Sequence, residues 1–248
     1  IQYEVNAPSM ISSPWARLTT PMTPKISENP AEYARNWKKE KGGPVIGDLC
    51  SYAPEEIMAA AGALPYRIFG SGRQIRRADA HLQAYSCSLV RGALEDALTG
   101  NLAFLDGTVF PNTCDSIQRL SDIWRMNIKE MFHLDIILPV KLNTPAAEAY
   151  MADVIQKFRV ELGAALGVDI SDDDLTASIE LYNRLRNGLA KLYDLRRNTP
   201  GVISSSDIHS VFKASMIMDR TAFVEALQAY EAATAGDTDD SIESPTPP

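Results

Sequence analysis

Three cysteines in 248 residues are too few to staple a fold, and an odd count leaves one without a mate. Cys50, Cys87 and Cys114 stand 37 and 27 residues apart and form no CxxC pair. Such sparse thiols suit a reducing compartment, so a cytoplasmic location is expected. No stretch approaches the roughly 20 consecutive apolar residues that a membrane span needs. Basic residues are short as well. Lys and Arg number 24 against 32 Asp and Glu, giving a net charge of -8. That balance lacks the footprint of a nucleic-acid binder and argues against docking on an anionic membrane. The opening IQYEVNAPSM has neither an initiator Met nor a basic start followed by an apolar block. A secretory leader is therefore not expected, and the natural start is expected upstream. No GxxxxGK[ST] occurs. Gly70-Ser71-Gly72 offers a GxG, but Ile75 stands where a dinucleotide fingerprint needs its last glycine. His81, His133 and His209 share no ligand spacing, and no role is assigned to them.

What is present is a well-stocked core, with 45% hydrophobic residues. Residues 1–29 are rich in Pro, Ser and Thr and read as an arm, followed by a helix over 30–41 that opens on Pro30. Short apolar runs then alternate with helical ones. Strands are expected at 45–49, 64–69, 104–110 and 134–138. Helices are expected at 54–61, within 76–99, where RRADAHLQAY and CSLVRGALEDALTG give one or two, and at 112–124. This alternation implies an α/β fold, a Rossmann-like parallel sheet of about four strands flanked by helices over 44–142. An all-helical segment over 143–235 follows. Thr144-Pro145 opens its first helix, and Ser171 with three aspartates opens its second. Residues 236–248 read as an acidic, Pro-ended linker or tail.

In an open parallel sheet, ligands collect at the carboxyl ends of the strands. Cys50 follows the first strand, Cys114 follows the third after the turn PNT, and Cys87 starts a helix. Spacing alone leaves two readings open. One is three buried thiols acting as small hydrophobes. The other is a set of thiolate ligands for zinc or iron–sulfur, with a helix N-terminus lowering a thiol's pKa.

Longer stretches add to this. GDLCSYAPEEIMAAAGALPYRIFG, AYSCSLVRGALEDAL and LDGTVFPNTCDSIQRL occur in that order. They contain Cys-Ser-x-x-Pro-x-Glu, Ala-Ala-Gly-Ala-x-Pro, and Pro-x-x-Cys-Asp after Leu-Asp-Gly. Together with IILPVKLNTP and SIELYNRLRNGLAKLYDLRR, they resemble the 2-hydroxyacyl-CoA dehydratase and benzoyl-CoA reductase family over roughly residues 30–235.

The resemblance implies a [4Fe-4S] cluster with Cys50, Cys87 and Cys114 as candidate ligands, of which Cys50 is the least secure. It implies a homologous sister subunit, an ATP-dependent iron–sulfur activator that donates one electron, and an acyl-CoA substrate. The chemistry implied is radical: a ketyl forms at the thioester carbonyl, and water is lost or an aromatic ring is reduced. Glu56 would be the catalytic carboxylate that handles protons, although it could equally serve only the helix dipole. Glu55 is expected to be a solvated dipole partner, and Asp115 a helix N-cap. Arg73, Arg76 and Arg77 would face either CoA phosphates, a partner subunit or plain solvent. The resemblance implies a second α/β domain, expected to begin where the sequence reads SPTPP. The alternative is a non-catalytic electron-transfer or scaffold protein of the same fold.

Overall fold

The computed structural model describes residues 26–70, 72, 74–200 and 203–234. The expected arm, apart from its last residues, the expected tail and Arg73 all lie outside the described residues. Four strands form one sheet: β1 (Val45–Asp48), β2 (Leu64–Arg67), β3 (Gly107–Pro111) and β4 (Phe132–Ile136). Their order is β2-β1-β3-β4, and every pairing is parallel. Val45 pairs with Leu64, Ile46 with Gly107, and Gly107 with Phe132.

The two faces of this sheet carry separate cores. Val45, Leu64 and Phe110 join one, which also holds Val90, Leu94, Ile117 and Trp124. Ile46, Val109 and Ile136 join the other, with Ile57, Met58, Phe158 and Leu162. Adjacent residues such as Val45 and Ile46 thus bury against opposite layers, which is why the central strands read as unbroken apolar runs. Gly107 has a packing role here: a Cβ on it would lie 2.5 Å from the Phe132 ring.

Eight helices of more than one turn follow the same logic among the described residues: α1 (Pro30–Lys41), α2 (Glu55–Ala60), α3 (Ser88–Leu98), α4 (Asp115–Asn127), α5 (Pro145–Leu166), α6 (Asp172–Asn198), α7 (Ser205–Ser215) and α8 (Arg220–Thr234). The Thr144 side chain accepts from Ala147 N at 3.2 Å to start α5, and Gly167 at φ 69° ends it in the left-handed conformation that glycine favours. Ser171 and Asp174 form a reciprocal capping box on α6.

Three differences from the expected elements have local causes. Strand β3 begins at Gly107 rather than 104, because Asp106 acts as a side-chain brace. Its carboxylate accepts from Val45 N and from Lys38 Nζ, both at 2.8 Å. RRADAHLQAY forms only a short 3₁₀ turn, Ala78–Ala80. There the Glu95 carboxylate accepts the backbone N–H groups of Arg76, Arg77 and Ala78 at 2.7–3.0 Å, and this holds the segment as a loop. Those donors, Ala78 first, also hold Glu95 below the ordinary carboxyl pKa despite its burial. Asp115 is the first residue of α4, and the N-cap is Cys114 itself.

Candidate functional site at the carboxyl rim

Strand order reverses between β1 and β3. The chain steps outward from β1 to β2, then returns across β1 to place β3 on its other side. In sheets of this order that reversal opens a crevice at the carboxyl ends of β1 and β3, where ligands bind. Cys50 lies two residues past β1 and Cys114 three residues past β3. Cys87 is the N-cap of α3, the helix leading back to the start of β3, so its chain position is also on the carboxyl side.

Cys87 and Cys114 are exposed, Cys50 is partly buried, and all three are free thiols. Cys50 has φ 61°, a left-handed conformation found at no other non-glycine among the described residues. Cys87 and Cys114 sit at the N-termini of α3 and α4. This donor chemistry fits an iron–sulfur cluster. The assembly is incomplete, since among the described residues no three His, Cys, Asp or Glu side chains are gathered closely enough to hold a metal ion.

Behind Cys50 lies a buried charge network that the sequence reading missed. Asp48 is fully buried at the end of β1 and accepts from Arg67 Nε. Arg67 also donates to Glu55 at 2.7 Å, and Glu55 accepts from Arg220 at 2.6 Å and from the Tyr182 hydroxyl at 3.3 Å. Glu55 is therefore an internal anion, not the solvated residue expected from its place in the first turn of α2. Burial alone would raise its pKa, but Arg220 and Arg67 outweigh burial and hold the carboxyl low. For Asp48, burial and the Glu55 charge win over Arg67, and its carboxyl is pushed up to about 7. Its Oδ2 has no hydrogen-bond partner, nor has Arg220 Nε.

Glu56, the expected proton handler, is held by α6 as Glu55 is. Its carboxylate is paired with Arg186 of α6, and its backbone carbonyl accepts from Ser178 Oγ at 2.7 Å. Arg76 donates to Gln74 at 2.9 Å, and Arg77 to the Leu98 carbonyl at 2.7 Å. The described part of the basic stretch is thus engaged within the chain.

On the other flank of the rim, a cleft of about 1090 Å³ runs between the ends of β3 and β4 and the start of α5. Tyr52, Asn112, Thr113 and Gln118 line it on the cysteine side; Leu138, Val140, Met151 and Ile155 line it further out. Asn112 Oδ1 and Thr113 Oγ1 are buried there without a hydrogen-bond partner. The sequence held one clue to this cleft, the apolar IILPV running past the end of β4.

His133 takes part in a polar cluster away from the rim. Its Nε2 lies 2.8 Å from Ser121 Oγ and its Nδ1 lies 3.1 Å from Glu130 Oε1. Ser121, however, donates to Asp135 at 2.5 Å and is buried, and it lines none of the clefts described. This arrangement braces α4 against β4.

Much of this rim lies within a stretch of chain shared with known proteins. The sequence profile of the family described as 2-hydroxyglutaryl-CoA dehydratase, D-component, matches residues 50–245. The chain belongs to this family. It is 31% identical to a benzoyl-CoA reductase subunit of Thauera aromatica, over 81% of this chain and 53% of that protein. It is 26% identical to the (R)-phenyllactyl-CoA dehydratase beta subunit of Clostridium sporogenes, over 82% of this chain and 54% of that one. It is 30% identical to the lactoyl-CoA dehydratase beta subunit of Anaerotignum propionicum, over 84% and 56%. The chain thus spans about half the length of the curated relatives it matches. The family match begins at Cys50 and takes in all three cysteines, most of the buried charge network and the cleft.

Proposed function

We propose that this chain is part of an iron–sulfur subunit of a 2-hydroxyacyl-CoA dehydratase or benzoyl-CoA reductase type enzyme. The observation that carries the reading is the family match over residues 50–245, which takes in all three thiols, with Cys50 and Cys114 following the two strands that flank the switch point of the sheet. Cys50, Cys87 and Cys114 would supply thiolates to a [4Fe-4S] cluster, completed by groups outside the described residues. When bound, the cluster's chemistry is one-electron transfer and Lewis-acid binding of a carbonyl oxygen.

The chain's own residues do the rest. The N-termini of α3 and α4 present the Cys87 and Cys114 sulfurs to solvent at the rim. Glu56 would hold or move the proton during loss of water, with Arg186 fixing its carboxylate in place. The cleft beside Cys114 offers an apolar wall to the acyl group. A sister subunit, an ATP-dependent activator supplying the electron, and a cytoplasmic setting complete the proposal. The rival reading is a non-catalytic iron–sulfur electron-transfer or scaffold protein of the same fold; the ungathered thiols weigh towards the scaffold form, since an electron carrier needs its ligands gathered as much as an enzyme does.

Anaerobic preparation tests the ligand assignment. Iron, acid-labile sulfide and visible absorption are measured for the wild type, Cys87→Ala and Cys114→Ala. The wild type is expected to take up iron and sulfide, and each variant to lose most of both. Full iron content and an unchanged spectrum in both variants would overturn the assignment. Turnover of an acyl-CoA with the activator and sister subunit then separates enzyme from electron carrier.

A further inference from the structure

The cleft beside Cys114 carries information about the acyl group that the family match does not. Its volume of about 1090 Å³ is ample for a small-molecule chain, and its wall is built largely from Leu138, Val140, Leu142, Met151 and Ile155. Among the described residues lining it there is no Lys, Arg or His. Their one ionisable carboxyl is Glu148, in the first turn of α5. Val140 is fully exposed and Leu142 78% exposed, so the cleft presents apolar surface that an apolar ligand would remove from water.

A ligand carrying a second carboxylate meets the opposite situation. It would give up hydration, find no cation in the wall, and face Glu148. Tyr52 and Thr113, two residues from Cys50 and one from Cys114, place one end of the cleft at the cysteine rim. An acyl group lying in the cleft would therefore leave its thioester at that rim.

From this we propose that the cleft is an acyl-selecting pocket that takes uncharged, apolar acyl groups, aromatic or aliphatic, and rejects acyl groups bearing a terminal carboxylate. Leu138, Val140, Met151 and Ile155 set the preference for apolar surface, and Glu148 excludes the anion. The proposal rests on the acyl-thioester reading given above.

The test uses the 248-residue chain and two unreactive thioesters of N-acetylcysteamine, 3-phenylpropionyl and glutaryl, with the corresponding CoA esters as a second pair. Binding is followed by calorimetry and by the methyl NMR signal of Met151. The phenylpropionyl thioester is expected to bind at least tenfold more tightly than the glutaryl one and to shift the Met151 signal. Glu148→Gln should narrow the gap by improving glutaryl binding. Val140→Asp, at a fully exposed position where folding is not at stake, should weaken phenylpropionyl binding several-fold. Equal affinities, or tighter glutaryl binding, would overturn the selectivity. If the CoA esters bind but Met151 is unmoved, the cleft is not the acyl site, and the acyl-CoA reading survives. If no thioester of either kind binds, both fall together.

Discussion

Replacing Asp48 with Asn should change the shape of this protein's stability against pH. In the folded chain, burial and the Glu55 charge push the Asp48 carboxyl up to about 7 from an ordinary value of 3.8. A raised carboxyl pKa means that the folded state holds a proton the unfolded chain has released. Between pH 4 and 7 the native state therefore binds more protons, and stability falls as pH rises. From pH 5 to pH 8 the loss assigned to this one group is about 2.7 kcal/mol, at 1.36 kcal/mol per pKa unit. The introduced asparagine keeps a carbonyl oxygen to accept from Arg67 but has no proton to lose. Urea unfolding followed by circular dichroism at pH 5, 6, 7 and 8 gives both profiles. The wild type should lose about 2.7 kcal/mol relative to the variant between pH 5 and pH 8, most of it below pH 7 and levelling off by pH 8. Profiles that run parallel within about 0.5 kcal/mol would show that Asp48 is ionised throughout in the folded chain, and the reasoning would fail.

Two further predictions concern packing. Arg220→Met removes one cation from Glu55 at a position only 3% exposed, and should cost about 3–5 kcal/mol in denaturant unfolding; a loss below about 1 kcal/mol would mean that Arg67 and Tyr182 suffice for Glu55. Gly107→Ala drives a Cβ to 2.5 Å from the Phe132 ring, between two paired strands, and should cost about 1–3 kcal/mol. An unchanged melting temperature would refute that estimate.

The sheet was legible because its evidence is local. VIGDL, LPYRIF and FLDGTVF are short apolar runs cut off by turn residues, and each contains or adjoins a strand. Element edges were less legible, since they depend on side chains that compete for backbone groups. The Asp106 carboxylate takes the Val45 N–H ahead of β3, and Glu95 holds three donors that would otherwise have entered a helix. At the site, Cys50, Cys87 and Cys114 could be placed at strand ends and helix starts by position alone. Glu55 could not. A glutamate in the first turn of a helix is ordinarily solvated, and nothing in PEEIMAA announces that Arg220, 165 residues away, will cover it. Cations brought from distant helices leave no trace in a local pattern.

The α6 helix is 27 residues long, which at 1.5 Å per residue is about 40 Å. Through Ser178, Tyr182 and Arg186 it reaches the two glutamates of α2, and Arg220 at the head of α8 reaches Glu55 as well. The helical part is thereby tied to the loop that carries Cys50. A chain shortened after residue 198 would keep the whole sheet and still expose Glu55 to the loss of its closest cation. The seam near residue 143, which looks like a natural place to cut, is thus a poor guide to which parts can melt alone. Heating should release α8 and the strand-to-helix turn around Cys50 together, so the helices set the thermal limit of the thiol rim.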